Sequence, residues 1–143
     1  METQAGFLIT QIKQIGGRVF DKILQKENIV EFNGAQGKIL YVLWQHDSIS
    51  IIELSRLTGL ANTTLTSMLD RMEKAGLLRR LPDPWDRRKS LIALTEKAGR
   101  LKESYDKVSL EMHEVYFKHF TTEEIVEFEG YLRRVLDNVK EEL

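Results

Sequence analysis

The sequence predicts a mainly α-helical fold carrying one small β-hairpin, on three observations. Apolar residues recur at three- and four-residue steps along most of the chain. Between residues 50 and 76, two such stretches are short and separated only by a brief turn. Directly after them come two largely apolar five-residue runs, 77–81 and 90–94, flanking a polar loop that holds both prolines. A short helix pair followed by a hairpin is the order of a winged helix-turn-helix core, here with longer helices before and after it.

The elements follow in order. From Gln4 to Lys26, Leu8, Ile12, Ile15, Val19 and Ile23 share one helical face. Asn33 with Gln36 reads as a capping box that opens a second helix through Ile39, Leu40, Leu43 and Trp44, stopping near His46-Asp47-Ser48. Ser50 with Glu53 reads as another box, and this third helix runs through Ile52, Leu54 and Leu57 to Thr58-Gly59. Asn62 is expected to cap the fourth, with Leu65, Met68, Leu69, Met72 and Ala75 inward and Gly76 as its stop. Beyond the hairpin, Thr95 is expected to cap one long helix in which Ala98, Leu101, Tyr105, Val108, Met112 and Val115 alternate by three and four, a coiled-coil period of ~3.5. Thr121 with Glu124 forms a third box, and Ile125, Phe128, Leu132, Val135 and Val139 continue the alternation.

Composition narrows the function. A chain of 143 residues, 42% hydrophobic and 30% charged, fits a single compact domain and excludes a large multidomain enzyme. Zero cysteines remove disulfides, thiolate metal sites and cysteine nucleophiles, and point to a reducing, cytoplasmic setting. No apolar run approaches the ~18 residues a membrane span requires, so no membrane association is expected. There is no nucleophile elbow, no glycine-rich phosphate loop and no HExxH, so catalysis is not expected. His113 and His119, with Glu111 and Glu114 near the first, are six residues apart and do not share a helical face; His46 stands alone. Neither metal nor cofactor is expected.

Charge is unevenly placed. The net charge is −1, but residues 50–95 carry Arg56, Arg71, Lys74, Arg79, Arg80, Arg87, Arg88 and Lys89 against Glu53, Asp70, Glu73, Asp83 and Asp86, a balance of +3. Residues 96–143 carry eight basic against twelve acidic side chains, and residues 1–49 balance. With Leu65, Leu69 and Met72 inward, the fourth helix turns Thr63, Thr64, Thr66, Ser67, Asp70 and Arg71 outward. Threonine and serine are mediocre helix formers, so stability alone would not choose them. Short hydroxyls do let a helix approach DNA closely and bond base edges and phosphates. At the loop tip, Arg87, Arg88 and Lys89 shield no core and repel one another unless an anion arrives, for which a phosphate backbone or a narrow minor groove is suited. The plain alternative is a solvated knot in which Asp83 and Asp86 pair with arginine, worth roughly 0–1 kcal/mol.

The stretch LSRLTGLANTTLTSMLDRMEKAGLLRRLPDPWDRRKSLIALTEKAG, Leu54 to Gly99, resembles the helix-turn-helix and wing of the multiple antibiotic resistance regulator (MarR) family of bacterial transcription factors. Its most specific piece is DRRKSLIALT, Asp86 to Thr95. The resemblance implies a DNA-binding regulator, with repression the expected role, in which residues 33–95 form the DNA-binding core while 1–32 and 96–143 are dimerisation helices. It implies a homodimer on double-stranded DNA, the fourth helix in the major groove and the wing in the minor groove. By position, Thr63, Thr64, Thr66, Ser67 and Arg71 fall on the reading helix, and Arg87 falls at the wing tip, braced by Asp86 and Arg88 with Lys89 beside it.

The family often has a ligand pocket between the dimer helices and the DNA-binding part, which Tyr41, Trp44, Trp85 and the phenylalanines could line for a small aromatic or lipophilic effector. For Tyr41 and Trp44, at i and i+3 on a short helix, core packing is the reading the spacing favours. Trp85, between Pro84 and Asp86, is expected to staple the loop against the hairpin base. Without cysteine, the thiol-based sensing of the family's peroxide-responsive branch is excluded. The competing reading is a non-catalytic winged-helix module that docks protein, which would tend to show an apolar or aromatic wing tip, whereas this one shows Arg87-Arg88-Lys89.

Overall fold

The computed structural model describes residues 1–143, in two compact units, Met1–Ser109 and Leu110–Leu143. The elements are α1 (Ala5–Lys26), α2 (Gly34–Trp44), β1 (Ile49–Ser50), α3 (Ile51–Thr58), α4 (Asn62–Lys74), β2 (Leu78–Pro82), β3 (Ser90–Leu94), α5 (Glu96–Arg100), α6 (Lys102–Tyr116) and α7 (Thr122–Lys140). No helix is long and apolar enough to cross a membrane.

Capping sets the helix starts. The Asn33 box closes in both directions: Asn33 Oδ1 accepts from the Gln36 N–H at 2.8 Å, and Gln36 Oε1 accepts from the Asn33 N–H at 3.1 Å. At α3 only one arm forms. Ser50 Oγ accepts from the Glu53 N–H at 3.2 Å, but the Glu53 carboxylate is held by the Arg56 guanidinium instead of reaching back. The expected Asn62 cap is also corrected, because the extended residue before α4 is Ala61 and Asn62 already lies in the helix. The turn is fastened from α3, where Ser55 Oγ donates to the Leu60 carbonyl at 2.6 Å and Thr58 Oγ1 accepts from the Leu60 N–H at 3.2 Å. Gly59 supplies the left-handed turn at φ 77.

The sheet has the order β1-β3-β2 and is antiparallel throughout, with Ile49 opposite Ile92 and Leu78 opposite Leu94. The two-residue β1 has no alternation to betray it in the sequence. β2 begins one residue later than expected and ends on Pro82, tolerable at an edge where no ladder donor is needed. Beneath the sheet, Leu40, Leu54, Leu65, Leu69, Met72, Leu77 and Ile92 are fully buried. Ala75 is not among them, since α4 has ended by then and Ala75 is exposed.

The α1 stripe is only partly covered, and the helix after Thr95 is interrupted. In α1 the buried face is Gly16, Phe20 and Leu24, whereas Phe7, Leu8, Ile9, Ile12 and Ile15 lie exposed. The single long helix expected after Thr95 is broken at Leu101. There the Ala98 carbonyl accepts from the Leu101 N–H at 3.1 Å and from the Trp44 indole at 3.1 Å, and a side chain inserted into the ladder interrupts a helix. Tyr105 on α6 then meets Trp44, Phe20, Phe32 and Tyr41, with ring centroids 5.1, 6.0, 6.1 and 6.1 Å away. Burial, with Tyr41 and Asp106 adding to it, pushes the Tyr105 hydroxyl up to about 12. Gly37 makes room for this ring, since a Cβ there would sit 3.1 Å from Tyr105 Cε2.

In the second unit, the Thr121–Glu124 box closes in both directions and opens α7. Phe117 gathers His113, Tyr116, Phe120 and Phe128 around it. Helix α7 buries none of its residues, and Val126, Leu132, Val135, Leu136 and Val139 all stand exposed. Val115, the last position of the stripe predicted after Thr95, is exposed as well.

Candidate nucleic-acid interface

Burial of Leu65, Leu69 and Met72 fixes the roll of α4 and leaves Thr63, Thr64, Thr66, Ser67 and Arg71 on its exposed face. Three of the hydroxyls, on Thr63, Thr64 and Thr66, make no side-chain bond within the chain and are open to an incoming donor or acceptor. Ser67 is engaged: Arg71 Nη2 donates to its Oγ at 3.3 Å and Arg71 Nε to its carbonyl at 3.4 Å. These are long bonds on an exposed surface, and each can be exchanged for a stronger one to phosphate or base.

Arg80, on β2, reaches α4 and was not singled out from the sequence. Its Nη1 donates to Glu73 Oε1 at 2.6 Å and its Nη2 to Asp70 Oδ1 at 2.8 Å, with the guanidinium about three-quarters covered. The fork ties the wing to the hydroxyl-bearing helix and offsets two carboxylates that would otherwise repel an anion there. No periodic pattern marks a partner seven or ten residues away, so this pairing has no sequence signal.

The wing loop closes through the Asp83 N–H to the Lys89 carbonyl at 3.2 Å and the Lys89 N–H to the Asp86 carbonyl at 3.1 Å. Within it, Asp83 Oδ1 accepts from the Trp85 N–H at 2.8 Å. Asp86 Oδ1 accepts from the Arg88 N–H at 3.0 Å and from Arg88 Nε at 3.2 Å, while its Oδ2 accepts from Arg88 Nη2 at 3.3 Å. The Arg88 side chain holds the Asp86 carboxyl below the usual carboxylate range, with help from the Arg88 N–H and the Lys89 charge. Asp86 and Arg88 therefore brace each other, and neither bonds the Arg87 side chain. Arg87 projects between them, exposed and unpartnered, with Lys89 exposed alongside.

Two aromatic expectations are corrected. Trp85 staples nothing: its side chain is 94% exposed, while its backbone N–H is bonded to the Asp83 carboxylate. Tyr41 is half exposed although its ring meets Tyr105, and Trp44, the more covered of the pair, is itself only half-buried, held by its bond to the Ala98 carbonyl. His46, His113 and His119 join no group of three or more metal-ligating side chains. What the surface offers is a hydroxyl-lined helix and a basic loop tip held by one scaffold.

Comparison with known proteins identifies the family. The model of the MarR family matches residues 32–90. The chain is 34% identical over 103 residues to the organic hydroperoxide resistance transcriptional regulator of Bacillus subtilis, covering 72% of this chain and 68% of that one. It is 30% identical over 132 residues to the multiple antibiotic resistance protein MarR of Escherichia coli, covering 92% of this chain and 90% of that one. It also superposes on a cysteine-to-serine variant of Escherichia coli MarR complexed with operator DNA, with TM-score 0.81, 30% identity and 92% of each chain covered.

Proposed function

The chain belongs to the MarR family of winged-helix, DNA-binding transcription regulators, and on that premise we propose that it binds a pseudo-palindromic operator as a homodimer. In this reading α4 enters the major groove and the wing enters the adjacent minor groove. The observation that carries it is the juxtaposition of an open hydroxyl face, Thr63, Thr64 and Thr66, with an unpartnered Arg87 on a wing that Arg80 fastens to the same helix. Hydroxyls read base edges at short range, and arginine suits a narrow minor groove.

Dimerisation is supported by the apolar surface that one chain leaves open. Residues 1–32 and 96–143 hold the exposed face of α1, with Phe7 at 66%, and the exposed stripe of α7, with Val126 at 67%. Two copies pairing these faces present two α4 helices, which require half-sites about one helical turn apart. A dimer seated on both grooves occludes the DNA beneath it, so repression is the regulatory output proposed. Release by a small aromatic or lipophilic effector completes the reading; Tyr41 is the half-exposed ring beside Tyr105 that such a ligand would meet. This chain has no cysteine to serve as the sensor.

Selection of bound duplexes from a random pool, followed by affinity measurement across salt concentrations, tests the proposal. The expected result is a pseudo-palindrome bound with a steep salt dependence, because much of the affinity is counterion release. Recovery of no common sequence, or an affinity indifferent to salt, would count against it.

A further inference from the structure

Trp85 lies at the most exposed part of the wing, with 94% of its surface in solvent. Tryptophan carries the largest apolar area of any side chain and is on average strongly buried, so an indole held this far out is costly unless something covers it. Its presentation is ordered. The Trp85 N–H donates to the Asp83 carboxylate at 2.8 Å, and the loop around it is shut by the Asp83 N–H to the Lys89 carbonyl at 3.2 Å. Three cations, Arg87, Arg88 and Lys89, follow within four residues, all exposed.

An exposed apolar plane on a loop that also presents exposed cations has its complement in a surface where anionic groups alternate with apolar faces. A duplex sugar–phosphate wall is such a surface, with phosphates spaced for the cations and deoxyribose faces between them for the indole. The same loop carries Arg87, so a wing that seats the arginine in a groove brings Trp85 to the wall of that groove.

We infer that Trp85 is itself a DNA-contacting residue, its indole packing on deoxyribose at the edge of the minor groove that Arg87 enters. The inference rests on the proposed seating of the wing on DNA and adds a component that proposal lacks. Every nucleotide has a deoxyribose face, so the contact raises affinity without reading sequence. The indole is neutral, so it displaces no counterion and leaves the salt slope alone.

That last property makes the test specific. Trp85→Ala should lower affinity for the selected duplex about 5- to 30-fold, the lower part of the span known for aromatic stacking on a base, since a deoxyribose face is smaller than a base. The loss should be equal at every salt concentration, the salt slope should match wild type, and Trp85→Phe should recover most of the affinity. Thermal stability should not move, since the ring packs on nothing within the chain. Independently, wild-type protein labelled with 5-fluorotryptophan should give two fluorine resonances, assigned by the one that Trp85→Phe removes. On adding duplex, the Trp85 line should shift and lose its solvent isotope effect.

Unchanged affinity in Trp85→Ala, or a Trp85 line still solvent-sensitive in the complex, overturns the inference and leaves an aromatic tip suited to protein docking. A reduced salt slope in Trp85→Ala also overturns it, because the tryptophan would then act by ordering the arginines. Wild-type protein that binds no duplex even at low salt refutes the proposed function itself, and this contact with it.

Discussion

Arg87 and Arg88 are neighbours in the chain with opposite surroundings. Arg88 is spent on Asp86, through three hydrogen bonds between 3.0 and 3.3 Å, whereas Arg87 has no partner. Arg87→Ala should therefore weaken DNA binding by about 1–3 kcal/mol and lower the salt slope by about one, with the melting temperature nearly unchanged. Comparing salt titrations of the variant and wild type checks this, and equal slopes would show that Arg87 meets no phosphate or groove. Asp86 gives the loop a pH dependence of defined sign. Its carboxyl is held below the ordinary value, so the order it contributes is complete above the ordinary carboxylate range and disappears as pH falls through the lowered value. DNA affinity should thus show no Asp86-linked change around neutral pH and should drop only in acid, and Asp86→Asn should blunt that acid limb. At this scale the sequence was partly legible: crowded cations at a loop tip announce an anionic partner. Which arginine is free depends on a two-residue backbone turn, and the exposure of Trp85 on the loop around it, neither of which periodicity records.

Elements depend on where neighbouring chains intrude. The sequence pattern carries the Asn33 and Thr121 boxes, the α4 stripe and the hairpin, because each is decided by residues within one turn or one strand. The break at Leu101 is decided 54 residues away, by the Trp44 indole on the Ala98 carbonyl, and local spacing therefore reads through it as continuous helix. Gly37 is a second long-range case. Adding a methyl there sets a carbon 3.1 Å from Tyr105 Cε2 and 3.5 Å from a Phe32 ring carbon, so the buried Tyr105 ring would have to give by a few tenths of an ångström. Gly37→Ala should gain helix propensity yet lose about 1–3 kcal/mol of stability through overpacking, measured by chemical denaturation. A stabilised variant would mean that the aromatic cluster yields more easily than its geometry implies. Arg80→Ala should act differently: releasing the Asp70–Glu73 fork leaves the core intact, so DNA affinity should fall further than stability does.

Apolar faces at both ends of the chain bear on the assembled molecule. In α1, Leu8, Ile12 and Ile15 of the predicted apolar face are exposed, and in α7 the whole stripe from Val126 to Val139 is exposed. Periodicity shows that such a face exists but not what covers it, and one chain of this size does not cover these. The proposed association of two copies would cover these faces, since exposed apolar stripes of this kind mark interaction surfaces. Sedimentation at micromolar concentration should give twice the 16.6 kDa chain mass, and Leu132→Glu or Val135→Glu should lower it toward one chain. Neither side chain belongs to the chain's own core, so near-ultraviolet signals from the Tyr105 cluster should report whether Met1–Ser109 stays folded when the copies part. If it does, operator affinity should collapse to that of a single α4 and wing, with the salt slope roughly halved because half the phosphate contacts are gone. A wild-type chain that sediments as a monomer, or a glutamate variant that keeps both mass and full affinity, would place the dimer interface elsewhere or remove it.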